Sequence, residues 1–313
     1  MENGKFVGYG IHHNALGVKD LTTMRAFYRD VLGFDTIFVD FPLAEYPALD
    51  DITRFPHTKY QAVLFNQKAG GIILELMQMH QPLGRPIRKD FKYGDLGQAK
   101  ITIVVPDVEL TYKELKGKAN FCSRPKSVTI AGFGDYHFVY LRDPENSMVE
   151  LVSAAKLPVK SKFGGMQWVG VSVTNLDRSI AFYQKILGMD IMFISKHDKF
   201  SGLVDELSGA EQTKVRSCVL GSSKGPNMIE LFEVLEPRGR SIPFATRWGD
   251  YGFAQICFSG KQGVDISEIA AHYEKQGIEF MCEPKWMHDE RDGAFFYMKD
   301  PDGVPIEFLV FLK

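Results

Sequence analysis

The sequence predicts an α+β fold in which a β-α-β-β-β unit occurs four times, twice in each half of the chain. The stretch FYRDVLGFD (27–35) returns as FYQKILGMD (182–190), an offset of 155 residues (182 − 27 = 155). KYGDLGQAK (92–100) returns as RWGDYGFAQ (247–255) at the same offset. A period of half the chain indicates a duplicated domain. Within each half, the order of strand, helix and three strands is completed and then begins again.

The first unit alternates the residue patterns of strands and of a helix. FVGYGIHHNALGV is β-rich, and apolar residues at helical spacing then predict a helix over 21–32. Gly33 can end this helix in a left-handed conformation. A strand is predicted at 34–39, followed by an insertion at 41–60 whose prolines exclude a long regular element. The strands QAVLFN and GGIILELMQM complete the unit.

The same order recurs three more times. In the second unit, the strand QAKITIVVPDV precedes a helix in ELTYKELKGKA and further strands. In the second half, helices are predicted in LDRSIAFYQKIL and ISEIAAHYEKQ. The polar segment 154–165, which holds a proline and paired glycines, is a natural linker. We therefore predict a first domain at 1–153 and a second at 166–313.

Composition and charge exclude several classes of function. The 313 residues are 45% hydrophobic and 24% charged with a net charge of −2, which is typical of a soluble globular protein and argues against nucleic acid or a membrane surface as the partner. We see neither a secretory signal nor the ~18 apolar residues of a transmembrane helix. Four scattered cysteines without a CxxC motif indicate reduced thiols. We predict a cytoplasmic monomer or homodimer with a small-molecule substrate.

One segment and two terminal strands resemble a known superfamily. HNALGVKDLTTMRAFYRDVLGFD, with DPENSMVEL and DPDGVPIEF, resembles the vicinal oxygen chelate superfamily of glyoxalases, bleomycin-resistance and fosfomycin-resistance proteins and extradiol dioxygenases. The resemblance implies that the four βαβββ units pair into two tandem cupped-sheet domains. It also implies that, in members that use a metal, the ligands come from the first strand of each unit and from a glutamate on the last strand.

These ligand positions can be carried over one by one onto this chain. All four units keep a glutamate within an apolar strand, where a carboxylate needs a cation, a metal or a hydrogen-bond donor close by. A histidine occurs at only one position. In chain order, the first half and then the second hold His13, Glu75, Lys100, Glu150, Trp168, Glu230, Gln255 and Glu307.

Lys100 departs from the superfamily pattern, because it stands where the resemblance implies a second histidine. A protonated lysine has no lone pair for a metal. We therefore expect Lys100 to be the countercharge for Glu75 and Glu150, either as a structural ion pair or as a group that stabilises a substrate oxyanion. His13 is either a metal ligand or a hydrogen-bonded core residue. Its neighbour His12 is expected on the opposite face of the strand by alternation.

The predicted site lies in a cup of the first half, under the 40–60 insertion. Lys100, Glu75 and Tyr140 are the predicted catalytic residues, and His13 and Glu150 would be the ligands if a metal is bound. The sequence leaves open whether the cofactor is one divalent metal (Fe, Mn, Zn or Ni) or none.

The second half supplies candidate substrate contacts and is expected to hold no metal. Tyr297 stands ten residues before Glu307 (307 − 297 = 10), a spacing that resembles extradiol dioxygenases. His288 and Trp168 are the other two candidates.

Three functions remain open at this point. The first is lyase or isomerase proton-transfer chemistry on a small oxygenated, partly apolar or aromatic substrate. The second is metal-dependent oxygenation or ring cleavage by an extradiol-type dioxygenase, against which the missing second histidine counts. The third is non-catalytic binding of an aromatic compound, as in bleomycin-resistance proteins. We place the first ahead of the others.

Overall fold

Four β-α-β-β-β units follow one another in the computed structural model, which describes residues 8–195, 202–222, 225–287 and 292–312. The first half holds two of them. The first unit comprises β1 (Ile11–Gly17), α1 (Leu21–Asp30), β2 (Thr36–Glu45), α2 (Asp50–Thr53), β3 (Lys59–Gln67) and β4 (Gly70–Gln81). The second comprises β5 (Gly97–Val104), α3 (Val108–Leu115), β6 (Asn120–Phe121), β7 (Lys126–Ile130), β8 (Gly134–Arg142) and β9 (Met148–Ala154).

The second half repeats this order. The third unit comprises β10 (Met166–Ser172), α4 (Leu176–Leu187), β11 (Asp190–Ser195), α5 (Asp205–Ser208), β12 (Lys214–Ser222) and β13 (Gly225–Glu236). The fourth comprises β14 (Gly252–Ser259), α6 (Ile266–Glu274), β15 (Lys285–Met287), β16 (Gly293–Lys299) and β17 (Pro305–Phe311). Among the described helices, none has the length and apolar character needed to cross a membrane.

The two copies of the repeated motif form equivalent capped helices. The side chain of Asp20 accepts a hydrogen bond from the backbone N–H of Thr23 and so caps α1. Asn175 caps α4 in the same way and accepts from the backbone N–H of Arg178. Gly33 and Gly188 follow the last turns with φ of +75° and +62°, a conformation that glycine adopts without strain. Helix α4 covers its predicted range, whereas α1 ends two residues before the predicted end of 21–32.

The insertion is more regular than the prolines predict. Strand β2 runs on to Glu45 and thus passes through Pro42. The pairing of β2 with β3 shifts register between Phe41 and Ala44, so Pro42 lies in an irregularity of the ladder. A proline there removes no regular ladder hydrogen bond, which explains why the strand continues.

Strands pair across the two halves of the chain. β1 is antiparallel to β14, and β5 is antiparallel to β10. The first and fourth units therefore share one sheet, in the order β2-β3-β4-β1-β14-β17-β16-β15. The second and third share another, in the order β11-β12-β13-β10-β5-β9-β8-β7. The prediction of four units paired into two cups is confirmed, but each cup joins one unit of the first half to one of the second and not the two units of one half.

Reciprocal ion pairs join the two connections that lead from one sheet to the other. Arg85 Nη2 lies 2.7 Å from Asp250 Oδ2, and Arg240 Nη2 lies 2.6 Å from Asp95 Oδ2. Each guanidinium also donates from Nε to the second carboxylate oxygen, so both pairs are bidentate. Arg240 and Asp250 are the equivalents of Arg85 and Asp95 at the repeat offset. The halves are therefore related by a pseudo-twofold axis that passes between the connections.

The apolar core separates into a shared part and two smaller clusters. The helices pack on one face of both sheets in the largest cluster, to which α1 contributes Tyr28 and α4 contributes Tyr183. The opposite, concave faces carry two further clusters, one around Trp168 and one around Trp248. Burying such a large side chain stabilises the fold by roughly 1.5–3 kcal/mol. Each sheet is thus a cup with an apolar inner wall.

Candidate functional site

Four polar side chains meet on the concave face shared by the first and fourth units, which we name the β1/β14 cup. His13 comes from β1, Glu75 from β4, Gln255 from β14 and Glu307 from β17, and all four are buried. His13 Nε2 lies 3.1 Å from Glu307 Oε2 and 3.5 Å from Glu75 Oε2. Gln255 Nε2 donates to Glu307 Oε2 at 2.8 Å, and the Tyr297 hydroxyl donates to the same oxygen at 3.1 Å.

The charges in this cup favour a cation. Burial opposes protonation of His13, but the nearby carboxylates of Glu307 and Glu75 outweigh it and raise the pKa of the imidazole above its ordinary value. Two carboxylates therefore converge on one nitrogen. Any positive species at this point gains from both.

The arrangement corrects two expectations. Lys100 does not join His13 and Glu75, because it belongs to the other sheet. The candidate site is also not confined to the first half, since Glu307 and Gln255 come from the second half. The resemblance had placed both residues at ligand positions, but cross-half pairing is what brings them to His13.

His12 lies beside His13, contrary to the expectation from strand alternation. The register between β1 and β14 shifts between Ile11 and His13, so the backbone at His12 departs from a regular ladder. As a result the two imidazoles face each other, with 2.9 Å between their Nδ1 atoms. Burial, with the charge of His13 as a second cause, lowers the pKa of His12 to about 3. His12 is thus a neutral partner for His13.

The residues of the β1/β14 cup fit a divalent metal. One imidazole nitrogen, two carboxylates and one amide oxygen form a donor set suited to a first-row divalent ion. Gln255 Oε1 is buried and has no hydrogen-bond partner among the described residues, so it has an acceptor to offer.

A second donor group shares His13. One donor atom each of His12, His13 and Cys257 lies within 4.8 Å of the others. Burial, followed by the charges of Glu307 and Glu75, raises the pKa of the Cys257 thiol well above its ordinary value. Because a thiol must lose its proton to bind a metal, the carboxylate set fits better.

An aromatic cavity of about 420 Å³ opens onto these residues. Tyr46 and Leu49 of the insertion line it, so the predicted roof lies over the β1/β14 cup. The ring of Tyr60 stands between those of Tyr46 and Trp248, with centroid distances of 4.6 and 5.1 Å. Lys285 also lines the cavity, but its Nζ lies 2.5 Å from Asp51 Oδ2. The cavity therefore suits an apolar or aromatic body.

The equivalent cup of the second and third units, which we name the β5/β10 cup, is filled by its own cation. Lys100 Nζ lies 2.6 Å from Glu150 Oε2 and 2.8 Å from Glu230 Oε2, and its side chain is 1% exposed. The Tyr140 hydroxyl donates to Glu150 Oε1 at 2.7 Å. A Cβ atom at Gly170 would lie 2.6 Å from Lys100 Cγ, so the glycine leaves room for the lysine.

The electrostatics of the β5/β10 cup hold the lysine charged. Burial disfavours its ammonium form, but Glu150 and Glu230 raise the pKa of Lys100 above its ordinary value. Burial also raises the pKa of Glu230, with Lys100 opposing and Glu150 adding to the shift. The ammonium occupies the point where the two glutamates converge, so this cup holds its cation internally.

The predicted site residues thus fall into two groups. Glu75, His13 and Tyr297 line the β1/β14 cup. Residue His288 lies outside the described residues. The remaining four surround the β5/β10 cup, where they are buried, namely Lys100, Tyr140, Glu150 and Trp168.

The spacing of ten residues between a tyrosine and a glutamate has the same structural cause in both cups. Tyr140 is paired in register with Glu150, and Tyr297 with Glu307. In each case the phenol donates to the glutamate across two neighbouring strands. Sequence reasoning missed Trp248 as a wall of the cavity, although it lies within the repeated RWGDYGFAQ motif.

The sequence and the fold are similar to those of known proteins. The family model described as the Glyoxalase/Bleomycin resistance protein/Dioxygenase superfamily matches residues 10–151 and 165–308. Glyoxalase I from Zea mays is 17% identical with a TM-score of 0.64, over 96% of this chain and 92% of that chain. A putative dioxygenase from Bacillus subtilis subsp. subtilis str. 168 is 15% identical with a TM-score of 0.61, over 98% of this chain and 86% of that chain. No curated protein matches the sequence. At such identities the structures share the fold alone.

Proposed function

Because the chain belongs to the glyoxalase/bleomycin resistance protein/dioxygenase superfamily, we propose that it is an enzyme whose active site is the β1/β14 cup. The observation that carries this proposal is the convergence of His13, Glu75, Gln255 and Glu307 at a 420 Å³ cavity. The β5/β10 cup is a weaker candidate, since Lys100 already fills it. Both sides of the β1/β14 cup come from one chain, so a monomer holds a complete site.

The proposed chemistry is proton transfer of the lyase or isomerase class. A divalent metal bound by these four residues would act as a Lewis acid on two neighbouring substrate oxygens. Glu307 accepts hydrogen bonds from Gln255 and Tyr297, which hold its carboxylate in place. Glu75 makes the longer contact with His13, at 3.5 Å. We therefore assign the proton-accepting role to Glu75.

The cavity indicates the class of substrate. Glu45, Glu75 and Glu307 line it, while its basic residue Lys285 is paired with Asp51. A substrate with several negative charges would meet repulsion there. Its aromatic walls favour a flat apolar body instead. We propose a small oxygenated compound with an aromatic or apolar group and little negative charge.

The first experiment measures metal binding. Wild-type protein purified without chelators should hold a divalent metal by elemental analysis. Glu307→Gln should weaken the affinity beyond the roughly 10–100-fold typical of losing an outer hydrogen-bond partner. The matched control is Glu150→Gln at the equivalent position of the β5/β10 cup, which should leave the affinity unchanged. Wild-type protein that takes up no added metal would refute the assignment.

A second experiment tests the chemistry. The metal-loaded protein should exchange deuterium from heavy water into 2-hydroxyacetophenone at the carbon bearing the hydroxyl group. With metal added in excess so that the site is filled, Glu75→Gln should abolish the exchange. Equal exchange in this variant would contradict the role of Glu75. Oxygen consumption with a catechol would instead support the dioxygenase, and metal-independent binding of an aromatic compound would support a binding protein.

A further inference from the structure

A larger cavity of about 590 Å³ lies outside both cups, on the pseudo-twofold axis. Its walls are built from residues that correspond to one another at the repeat offset of 155. Ile87 corresponds to Ile242 and Leu96 to Tyr251, and all four line it. The duplication itself therefore creates this space, which we name the axial cavity.

The interior of the axial cavity is largely apolar. Phe91, Leu96, Ile242 and Phe253 contribute to its walls, and each is partly exposed to solvent. Exposed apolar side chains around one concave space are a common property of ligand sites. The cavity is also larger than the one in the β1/β14 cup. Its size is in the range of small-molecule sites.

One side of the axial cavity carries two lysines that are exposed to solvent. Lys19 and Lys89 line the cavity, and neither side chain makes an ion pair within the described parts of the chain. At the repeat offset, these positions correspond to the uncharged residues Thr174 and Phe244. The positive side is thus a feature of one repeat only.

The acidic groups near these lysines are already engaged. Glu145 accepts hydrogen bonds from the backbone N–H groups of Lys19 and Asp20, at 2.8–2.9 Å. The carboxylate of Asp20 caps α1 and accepts from Thr23. Both carboxylates are therefore held away from the lysine ammonium groups by other donors, and the charged residues that line the cavity still give it one more positive than negative charge, with Lys19, Arg88 and Lys89 against Asp20 and Glu145.

We propose that the axial cavity binds an amphipathic organic anion. Its apolar or aromatic body would lie against Phe91, Ile242 and Phe253, and a single carboxylate or sulfonate would lie near Lys19 and Lys89. Charge complementarity selects the anionic end, and the apolar walls select the body. This site is separate from the proposed active site and does not require a metal.

The position of the cavity links it to both cups. Gly97 and Ala99 line it at the start of β5, the strand that carries Lys100. Phe253 lines it at the start of β14, two residues before Gln255. A bound anion would therefore contact β5 and β14, each of which pairs with a strand from the other half of the chain.

The test is calorimetric titration with 2-naphthoate and with its neutral analogue 2-naphthamide. Wild-type protein should bind the anion, and the amide should bind about tenfold more weakly because it lacks the charge that the lysines meet. The double variant Lys19→Gln/Lys89→Gln should lose the same factor. The matched control is Lys118→Gln/Lys261→Gln, a pair of exposed lysines outside the cavity, which should bind as wild type does.

Cavity-filling variants locate the binding. Ile242→Trp fills the axial cavity and should abolish binding of 2-naphthoate, whereas Leu49→Trp fills the β1/β14 cavity and should not. Undetectable binding to wild type, equal binding of the amide, or loss only in Leu49→Trp would each overturn the proposal. None of these outcomes bears on metal binding, so the proposed function stands or falls separately.

Discussion

Replacing Lys100 with methionine removes the cation from between two buried carboxylates. The ammonium nitrogen lies 2.6 Å from Glu150 and 2.8 Å from Glu230, in a side chain that is 1% exposed. Methionine has a similar length and fills most of the space, so the change is mainly one of charge. We expect Lys100→Met to destabilise the fold by about 3–5 kcal/mol at neutral pH, as is typical when one partner of a buried pair is removed.

The structure also gives the mechanism and its pH dependence. Two carboxylates this close cannot both stay ionised, so one of the pair must bind a proton in the folded variant. Keeping one glutamic acid protonated at pH 7 costs about 3.7 kcal/mol, since its ordinary pKa is about 4.3 and each unit is worth about 1.36 kcal/mol. The folded variant holds more protons than the unfolded chain, so its stability rises as the pH falls. About 2.7 kcal/mol should return between pH 7 and pH 5.

Urea unfolding at pH 7 and pH 5 measures both quantities. The matched control is Lys113→Met on the exposed side of α3, which should change the free energy of unfolding little. The double variant Lys100→Met/Glu150→Gln should recover much of the loss, because only one carboxylate then remains in the β5/β10 cup. A loss below about 1 kcal/mol at pH 7, or a loss independent of pH, would refute the internal-cation interpretation.

Three further changes have defined outcomes. His12→Phe removes the hydrogen bond between the Nδ1 atoms of His12 and His13 and should lower metal affinity about 10–100-fold in a chelator competition, with circular dichroism unchanged. Lys100→His places an imidazole beside the two glutamates of the β5/β10 cup. This should create a metal site in addition to the one proposed at His13, and elemental analysis should then find a second metal per chain. Burial raises the pKa of Asp143 and of Asp300 to about 6, so stability should fall as pH rises from about 4 to 6, and Asp143→Asn should roughly halve that slope in urea unfolding.

The repeat predicted the units of this fold but not how they pair. An offset of 155 residues is equally compatible with cups built within each half and with cups built across the halves. Pairing across the halves goes with the path of two connections, from β4 to β5 and from β13 to β14. The ion pairs Arg85–Asp250 and Arg240–Asp95 join these connections to each other. The signal was present in the sequence, because these residues recur at the same offset. The sequence alone does not show that each arginine pairs with the aspartate of the other repeat.

The candidate site was predicted by residue type and not by grouping. The resemblance marked His13, Glu75, Gln255 and Glu307 as ligand positions, and all four lie together. Pairing within the first half had instead joined His13 to Lys100. The position of His12 could not follow from alternation, because a shift of register at one residue turns a side chain onto the other face.

The same fold carries two cups that differ in how their buried charge is balanced. In the β5/β10 cup, Glu150 and Glu230 share the ammonium of Lys100, which is tethered to the chain and always present. In the β1/β14 cup, the position equivalent to Lys100 is Gln255, which brings an amide and no positive charge. Two buried carboxylates are costly unless a cation joins them, and in this cup that cation is either a protonated His13 or a metal. The residues at two repeated positions, Lys100/Gln255 and Trp168/His13, therefore separate a sealed cup from one that can take its cation from solution.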